Sequence, residues 1–191
     1  RYAWPEPAII DFPNISTKII VVIPCYNEPE VLKSMDSIYN CDLPDCHVEV
    51  IVVINHSENE TDEIKSCNKK TLKSMEKWVK SHKKKDISFY TISAFDLPKK
   101  QAGVGLARKI GMDEAVRRFE YLGNKKGIIV CFDADCTCSK NYLHGIYAHY
   151  IKNPETNVGL IYFEHPLEGN LSKEIYAAIT NYELHLRYYK N

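Results

Sequence analysis

Two aspartates spaced i, i+2, Asp133 and Asp135, close the stretch Ile128-Ile129-Val130-Cys131-Phe132-Asp133-Ala134-Asp135-Cys136. Its first half is an unbroken apolar run of strand formers behind the turn Gly123-Asn124-Lys125-Lys126-Gly127. Such a run predicts a central strand buried on both faces, the habit of parallel sheets in α/β domains. Open α/β sheets bind ligands at the carboxyl ends of their strands, where these carboxylates fall. Hard oxygen donors at a solvent-open mouth suit a divalent cation that also holds phosphate oxygens. On the Asp-x-Asp pair alone, an acidic, merely solvated strand end is the competing account. Cys136-x-Cys138 with His144 and His149 has metal-ligating types, but the spacing matches no finger or ribbon, and both histidines fall in an amphipathic helical pattern.

The carboxylates need a scaffold, and composition bounds it. The 191 residues suffice for one sizeable core. Lysine plus arginine and aspartate plus glutamate both number 25, so no global field recruits nucleic acid or an anionic membrane. The lysine-rich segment 65–85 also carries glutamates and a helical apolar stripe, which reads as a solvated helix face. No run reaches membrane-spanning length and no signal peptide is visible. Seven cysteines, scattered through predicted strands and helices, fit reduced thiols better than a disulfide framework. The expected location is therefore cytoplasmic, free or at the cytoplasmic face of a membrane. The chain opens on arginine, which reads as a segment of a longer parent.

In chain order, residues 1–17 hold prolines without periodicity and read as an extended arm. Lys18–Ile23 predicts a first buried strand, and Glu30–Tyr39 a helix with Leu32, Met35 and Ile38 or Tyr39 inward. Val48–Ile54 predicts a second strand, followed by the polar turn Asn55–Glu60 and a long helix to about His82. Ile87–Ile92 predicts a third strand; the loop Pro98–Gly103 then leads into a helix with Leu106, Ile110 and Ala115 inward. After the Asp-x-Asp strand come a helix over Ser139–Lys152, a strand over Val158–Phe163 and a last helix from Ser172. Alternation throughout predicts an α/β fold, a doubly wound, mostly parallel sheet with right-handed crossovers. Residues 18–191 read as one domain.

The first turn narrows the class. A dinucleotide-binding domain places Gly-x-Gly-x-x-Gly after strand one. Here Pro24-Cys25-Tyr26-Asn27-Glu28 stands there instead, and Gly103-x-Gly105 precedes the fourth strand. No Gly-Lys-Ser or Gly-Lys-Thr of a P-loop occurs. The missing glycine turn also counts against a metal-dependent nucleotidyltransferase.

Ile20-Val21-Val22-Ile23-Pro24-Cys25-Tyr26-Asn27-Glu28 resembles the opening signature of the family 2 glycosyltransferases. Val52–Asn55 with His56-Ser57 is similar to their second-strand motif, and Lys100-Gln101-Ala102-Gly103-Val104-Gly105-Leu106-Ala107-Arg108 to their basic, glycine-containing loop. Cys131–Asp135, with Asn141-Tyr142-Leu143 downstream, resembles their Asp-x-Asp strand. Each motif is weak alone; the ordered set covers residues 18 to about 150.

The resemblance implies a glycosyltransferase A-type fold, its nucleotide-binding half, that binds a nucleotide diphosphate sugar through Mn2+ or Mg2+. It implies transfer to a hydroxyl acceptor, glycan or lipid-linked, with inversion at the anomeric centre. Pro24 would shape the turn, and Tyr26 would stack on the base or pack on the loop after strand two. Glu28 would accept from a ribose hydroxyl or favour the next helix start. Asn55 stands where the family usually has aspartate, and its amide can still bind a base edge. Lys100 and Arg108 would flank the diphosphate or be ordinary surface charge. Asp133 would lie toward the ribose and Asp135 would ligate the metal.

The family's base is an acidic residue well beyond Asp-x-Asp, usually in a Glu-Asp pair. The later acidic residues here are Glu155, Glu164, Glu168, Glu174 and Glu183, without such a pair, so the base is not identified; Glu164, ending an apparent strand, is the one that could approach the donor sugar. Tyr182, Leu186, Tyr188 and Tyr189 would seat an acceptor or pack on further core. An incomplete acceptor part is therefore expected. The alternative is a catalytically silent nucleotide-sugar-binding or scaffold domain.

Overall fold

Apolar, β-branched runs form the sheet, and their alternation decides which helix each side chain meets. In a computed structural model, residues 7–189 are described. They divide into two compact units, before and after the Asn153–Pro154 junction. In the first, β1 (Thr17–Cys25), β2 (His47–Ser57), β3 (Ile87–Leu97) and β4 (Ile128–Cys131) form a four-stranded sheet of order β3-β2-β1-β4. All its pairings are parallel. Ile19, Val21 and Ile23 of β1 join Val48, Val50, Val52 and Ile54 of β2 in one core layer. Ile20, Val22, Ile51 and Val53 point into the opposite layer, as a period of two requires.

Helices α1 (Val31–Tyr39), α2 (Asp62–Ser81) and α4 (Tyr142–Lys152) supply Met35, Ile38, Met75, Trp78 and Leu143 to the first layer. Helix α3 (Val104–Tyr121) covers the second with Ala107, Ile110, Ala115 and Phe119. That layer also holds Glu49, fully buried on β2, whose Oε1 accepts from Arg118 Nη2 at 3.0 Å and from Thr17 Oγ1 at 3.2 Å. A buried carboxylate persists only when paired this way.

The chain runs outward from β1 to β3, then returns to the other side of β1 as β4. The β1/β4 junction is thus the topological switch point, where such sheets open a crevice. The strand that leads to Asp133 and Asp135, β4, is an edge of the described sheet, not its centre, and its Cys131 is exposed. An apolar run of four residues looks alike at edge and centre; the order of strands is not written in it. Residues 1–6 of the expected arm lie outside the described residues. Residues 7–16 are irregular and tied to α3: Ala8 N donates to Glu114 Oε2 at 3.1 Å, and Phe12 stacks on Tyr121.

Two predicted elements change. The helix expected from Ser139 begins at Tyr142, because the backbone ahead of it is engaged by α1. Cys138 N donates to Ser37 Oγ at 3.3 Å, and Ser139 O accepts from Cys41 Sγ at 3.5 Å. The strand expected over Val158–Phe163 does not form. Its unit holds one helix, α5 (Lys173–Tyr188), and no sheet edge among the described residues, so an extended apolar run has nothing to pair with there. Among the described residues no helix is long and apolar enough to cross a membrane.

Candidate active site

Each element of the switch point ends by delivering a polar side chain to one place. Pro24 is the last residue but one of β1, which ends at Cys25, so that Tyr26 and Glu28 follow on the β1–α1 loop. Asn55 comes from the last turns of β2, Arg108 from the first turns of α3, and Asp133 and Asp135 from the segment after β4. These seven residues line a cleft of about 410 Å³ together with Val104 and Ala134. That volume lies within the range of small-ligand sites. The eighth residue singled out from sequence, Lys100, does not line it. Pro98 O accepts from Gln101 N at 2.8 Å and Ala102 N at 2.9 Å, a tight turn that leaves Lys100 exposed at its tip.

The cleft's electrostatics are set by a few pairs. Arg108 Nη2 donates to Asp133 Oδ1 at 2.8 Å, with both side chains partly exposed. Arg108 Nε is buried and has no partner. Asn55 is 1% exposed, and neither its Oδ1 nor its Nδ2 has a partner. Leaving both ends of a buried amide unpaired costs roughly 1–3 kcal/mol per group, which a bound polar ligand would recover. Tyr26 is 45% exposed, and its hydroxyl donates to Glu60 Oε2 at 2.9 Å on the β2–α2 loop. Burial and the Glu60 carboxylate together hold the phenol above its ordinary range. Glu28 Oε1 accepts from Glu30 N at 2.9 Å, the helix-start role, while the residue still lines the cleft.

Helix α1 fixes the acidic segment. Ser34 Oγ, buried, donates to Ala134 O at 2.6 Å between the two aspartates. The Cys41 and Cys138 thiols lie 3.5 Å apart, and all seven cysteines are free. Ser34, Val104 and Ala134 were not read from sequence. A serine inside an amphipathic helix carries no signal that its hydroxyl holds a carbonyl a hundred residues on.

The family model for glycosyl transferase family 2 matches residues 20–190. The chain belongs to that family. Its four-stranded parallel sheet flanked by helices is that of the glycosyltransferase A-type fold. Among solved structures the chain is similar to S. aureus TarS residues 1–349, at 19% identity and a TM-score of 0.46, over 72% of this chain and 33% of that one. It is similarly related to the same TarS fragment in complex with UDP-GlcNAc, at 18% identity and a TM-score of 0.47, over 72% and 32%. The chain thus spans about a third of the length of those structures. No curated protein matches it.

In the second unit, Glu164 is exposed. Tyr162 Oη donates to Glu164 Oε2 at 3.0 Å, and Arg187 Nη2 lies 3.9 Å away. Glu183 is buried and accepts from His165 N at 2.9 Å, with His165 Nδ1 at 2.6 Å. Of the aromatic residues on α5, Tyr182 and Tyr188 are exposed, as is Tyr189 just beyond it.

Proposed function

We propose that this chain carries the donor site of an inverting glycosyltransferase that moves a sugar from a nucleoside diphosphate to a hydroxyl acceptor. The observation that carries the reading is the cleft at the switch point. A cation, three carboxylates and a buried amide without partners converge there. The base would lie against Tyr26 and Asn55, the ribose toward Glu28 and Asp133, and the diphosphate toward Arg108.

A divalent ion fits this donor set. Among the described residues no group of three or more His, Cys, Asp or Glu side chains is gathered to hold a metal. The protein thus offers at most Asp135 and the Asp133 oxygen not engaged by Arg108. Mg2+ and Mn2+ are commonly bound by one or two carboxylates and completed by substrate phosphates and water. When bound, such an ion offsets the charge that develops on a departing diphosphate.

In the transfer itself, the acceptor oxygen forms a bond to the anomeric carbon on the face opposite the diphosphate. The carbon–oxygen bond to phosphate breaks, and its electron pair leaves with the nucleotide. The hydroxyl proton passes to a carboxylate base. Arg108, held by Asp133 in the free chain, is placed to bind phosphate oxygens with its remaining donors.

Isothermal titration of nucleoside diphosphates with Mg2+ or Mn2+ tests the donor site. Binding is expected with the ion, to be lost with chelator and to weaken sharply in Asp135→Ala. Equal affinity with and without chelator refutes the metal assignment.

A further inference from the structure

The cleft is built from two loops that belong to different βα units, and one side chain joins them. Asn68 lies on α2, outside the cleft and outside every motif, and is fully buried. Its Oδ1 accepts from Asn27 N at 2.9 Å, on the β1–α1 loop directly after Tyr26. Its Nδ2 donates to Asn55 O at 2.9 Å, at the end of β2. The same nitrogen lies 3.3 Å from His56 Nδ1. Asn27 has φ +49°, a left-handed conformation that a β-carbon makes costly but that asparagine tolerates better than most residues. A buried acceptor on its N–H holds the chain in that conformation and so sets where Tyr26 leaves the loop.

We propose that Asn68 is a positioning residue for base recognition: one amide fixes both the ring that would stack on the base and the amide that would read its edge. This rests on the nucleotide reading of the cleft and deepens it. The need for asparagine follows from the two partners. One loop presents a backbone donor and the other a backbone acceptor, and only a carboxamide offers an acceptor and a donor side by side at this reach. An aspartate keeps the bond to Asn27 N but turns an oxygen toward Asn55 O. Leucine of similar volume serves neither. The groups that would hold the diphosphate, Arg108 and the aspartates, come from α3 and from the segment after β4, which Asn68 does not touch. Base and diphosphate recognition are therefore separable through this residue.

The test uses the whole chain with Mg2+ and two probes, inorganic pyrophosphate and whichever of uridine or guanosine diphosphate binds the unmodified protein more tightly. Asn68→Asp should weaken the nucleotide by about tenfold, the scale of one well-made hydrogen bond, and leave pyrophosphate within about twofold. Combined with Asn55→Ala, it should add little to the loss from Asn55→Ala alone, because both act on one contact. Equal weakening of both probes, or full additivity with Asn55→Ala, shows a merely structural role and overturns the assignment. Unchanged nucleotide affinity in Asn68→Asp overturns it while leaving the nucleotide site standing. No nucleotide binding by the unmodified protein removes both. Hydrogen exchange at the Asn27 amide supplies a reading that does not depend on a variant folding. Strong protection is expected, and exchange at the rate of an open loop overturns the proposal.

Discussion

Asn55 shows how far a single side chain can be read. Its position at the end of strand two and its amide are both visible in the sequence. Its burial without partners is not, because that depends on what the neighbouring loops leave unfilled. An amide offers one acceptor and one donor, whereas a carboxylate offers acceptors only. Uracil presents one N–H between two carbonyls; guanine presents two adjacent donors. Asn55→Asp should therefore shift relative affinity toward guanosine diphosphate by roughly tenfold, about one hydrogen bond, measured as the ratio of dissociation constants. Tyr26 supplies the second residue-scale prediction. Its ring is half exposed and tethered by the Glu60 contact, so it is available to a base without needing to be freed from the core. Tyr26→Ala should cost about 1–3 kcal/mol of nucleotide affinity, whereas Tyr26→Phe should cost much less, since stacking needs the ring and not the hydroxyl. Equal losses in the two variants would show that the Glu60 contact, not stacking, is what the nucleotide depends on. Asn68 escaped the sequence because its work is done through two backbone groups, and backbone partners leave no pattern in residue types.

At the scale of elements, what was legible followed periodicity, and what was not followed competition for backbone. Strands β1 to β3 were found because their apolar runs are long, yet each extends beyond the predicted span: β3 continues to Leu97 rather than Ile92. Pairing with β2 carries it on, and Leu97 lies opposite Ser57. Helix α2 was legible at both ends, with Thr61 capping Ile64 N and Asp62 and Glu63 in the first turn. The false strand over Val158–Phe163 shows the limit: apolar alternation records a demand for burial, not the presence of an edge to pair with. Gly111 on α3 is an element-scale feature that no motif suggested. A β-carbon there would lie 2.4 Å from Val22 Cγ1 and 3.1 Å from Val53 Cγ2, both stiff, β-branched side chains at 0% exposure. Alanine gains up to about 1 kcal/mol of helix propensity over glycine. Overpacking of a tight core costs about 1–3 kcal/mol, so the clash prevails where the sheet cannot move. Gly111→Val, which adds the clash without alanine's propensity gain, should lower the urea midpoint clearly at unchanged slope. A stabilised Gly111→Val would mean that α3 rides higher on the sheet than its contacts indicate.

Across the whole molecule, two histidines at opposite ends of β2 tie stability to pH. His47, at its start, is 4% exposed with Nε2 2.9 Å from Ser88 Oγ, and His56, near its end, is 1% exposed and stacked on Phe95. Burial holds both imidazoles below the ordinary value of 6.5. Opposing charges do not reverse this: Glu49 and Asp86 face His47 against Arg118, and Asp96 and Glu60 face His56 against Lys65 and Lys69. A group whose folded value is depressed favours its neutral form in the native state. Its stabilising contribution is complete above the unfolded value and is lost as pH falls from there toward the folded value. Stability should therefore decline as pH falls below about 6.5, above the ordinary carboxylate range near 4. The Cys138 thiol, held down to about 7 by the hydrogen bond from Cys41, changes charge at the upper border of this window and in the same direction. Urea unfolding at about pH 7.5 and 5.5 reads the sum, and His56→Gln should flatten the dependence by removing one of the two titrations. Because His56 sits against Asn68, nucleotide affinity should fall over the same interval by more than pyrophosphate affinity, which falls only as the phosphate groups themselves protonate. A stability that is flat or rises on acidification would mean that His56 is protonated in the fold, with its 3.7 Å approach to Asp96 prevailing over burial.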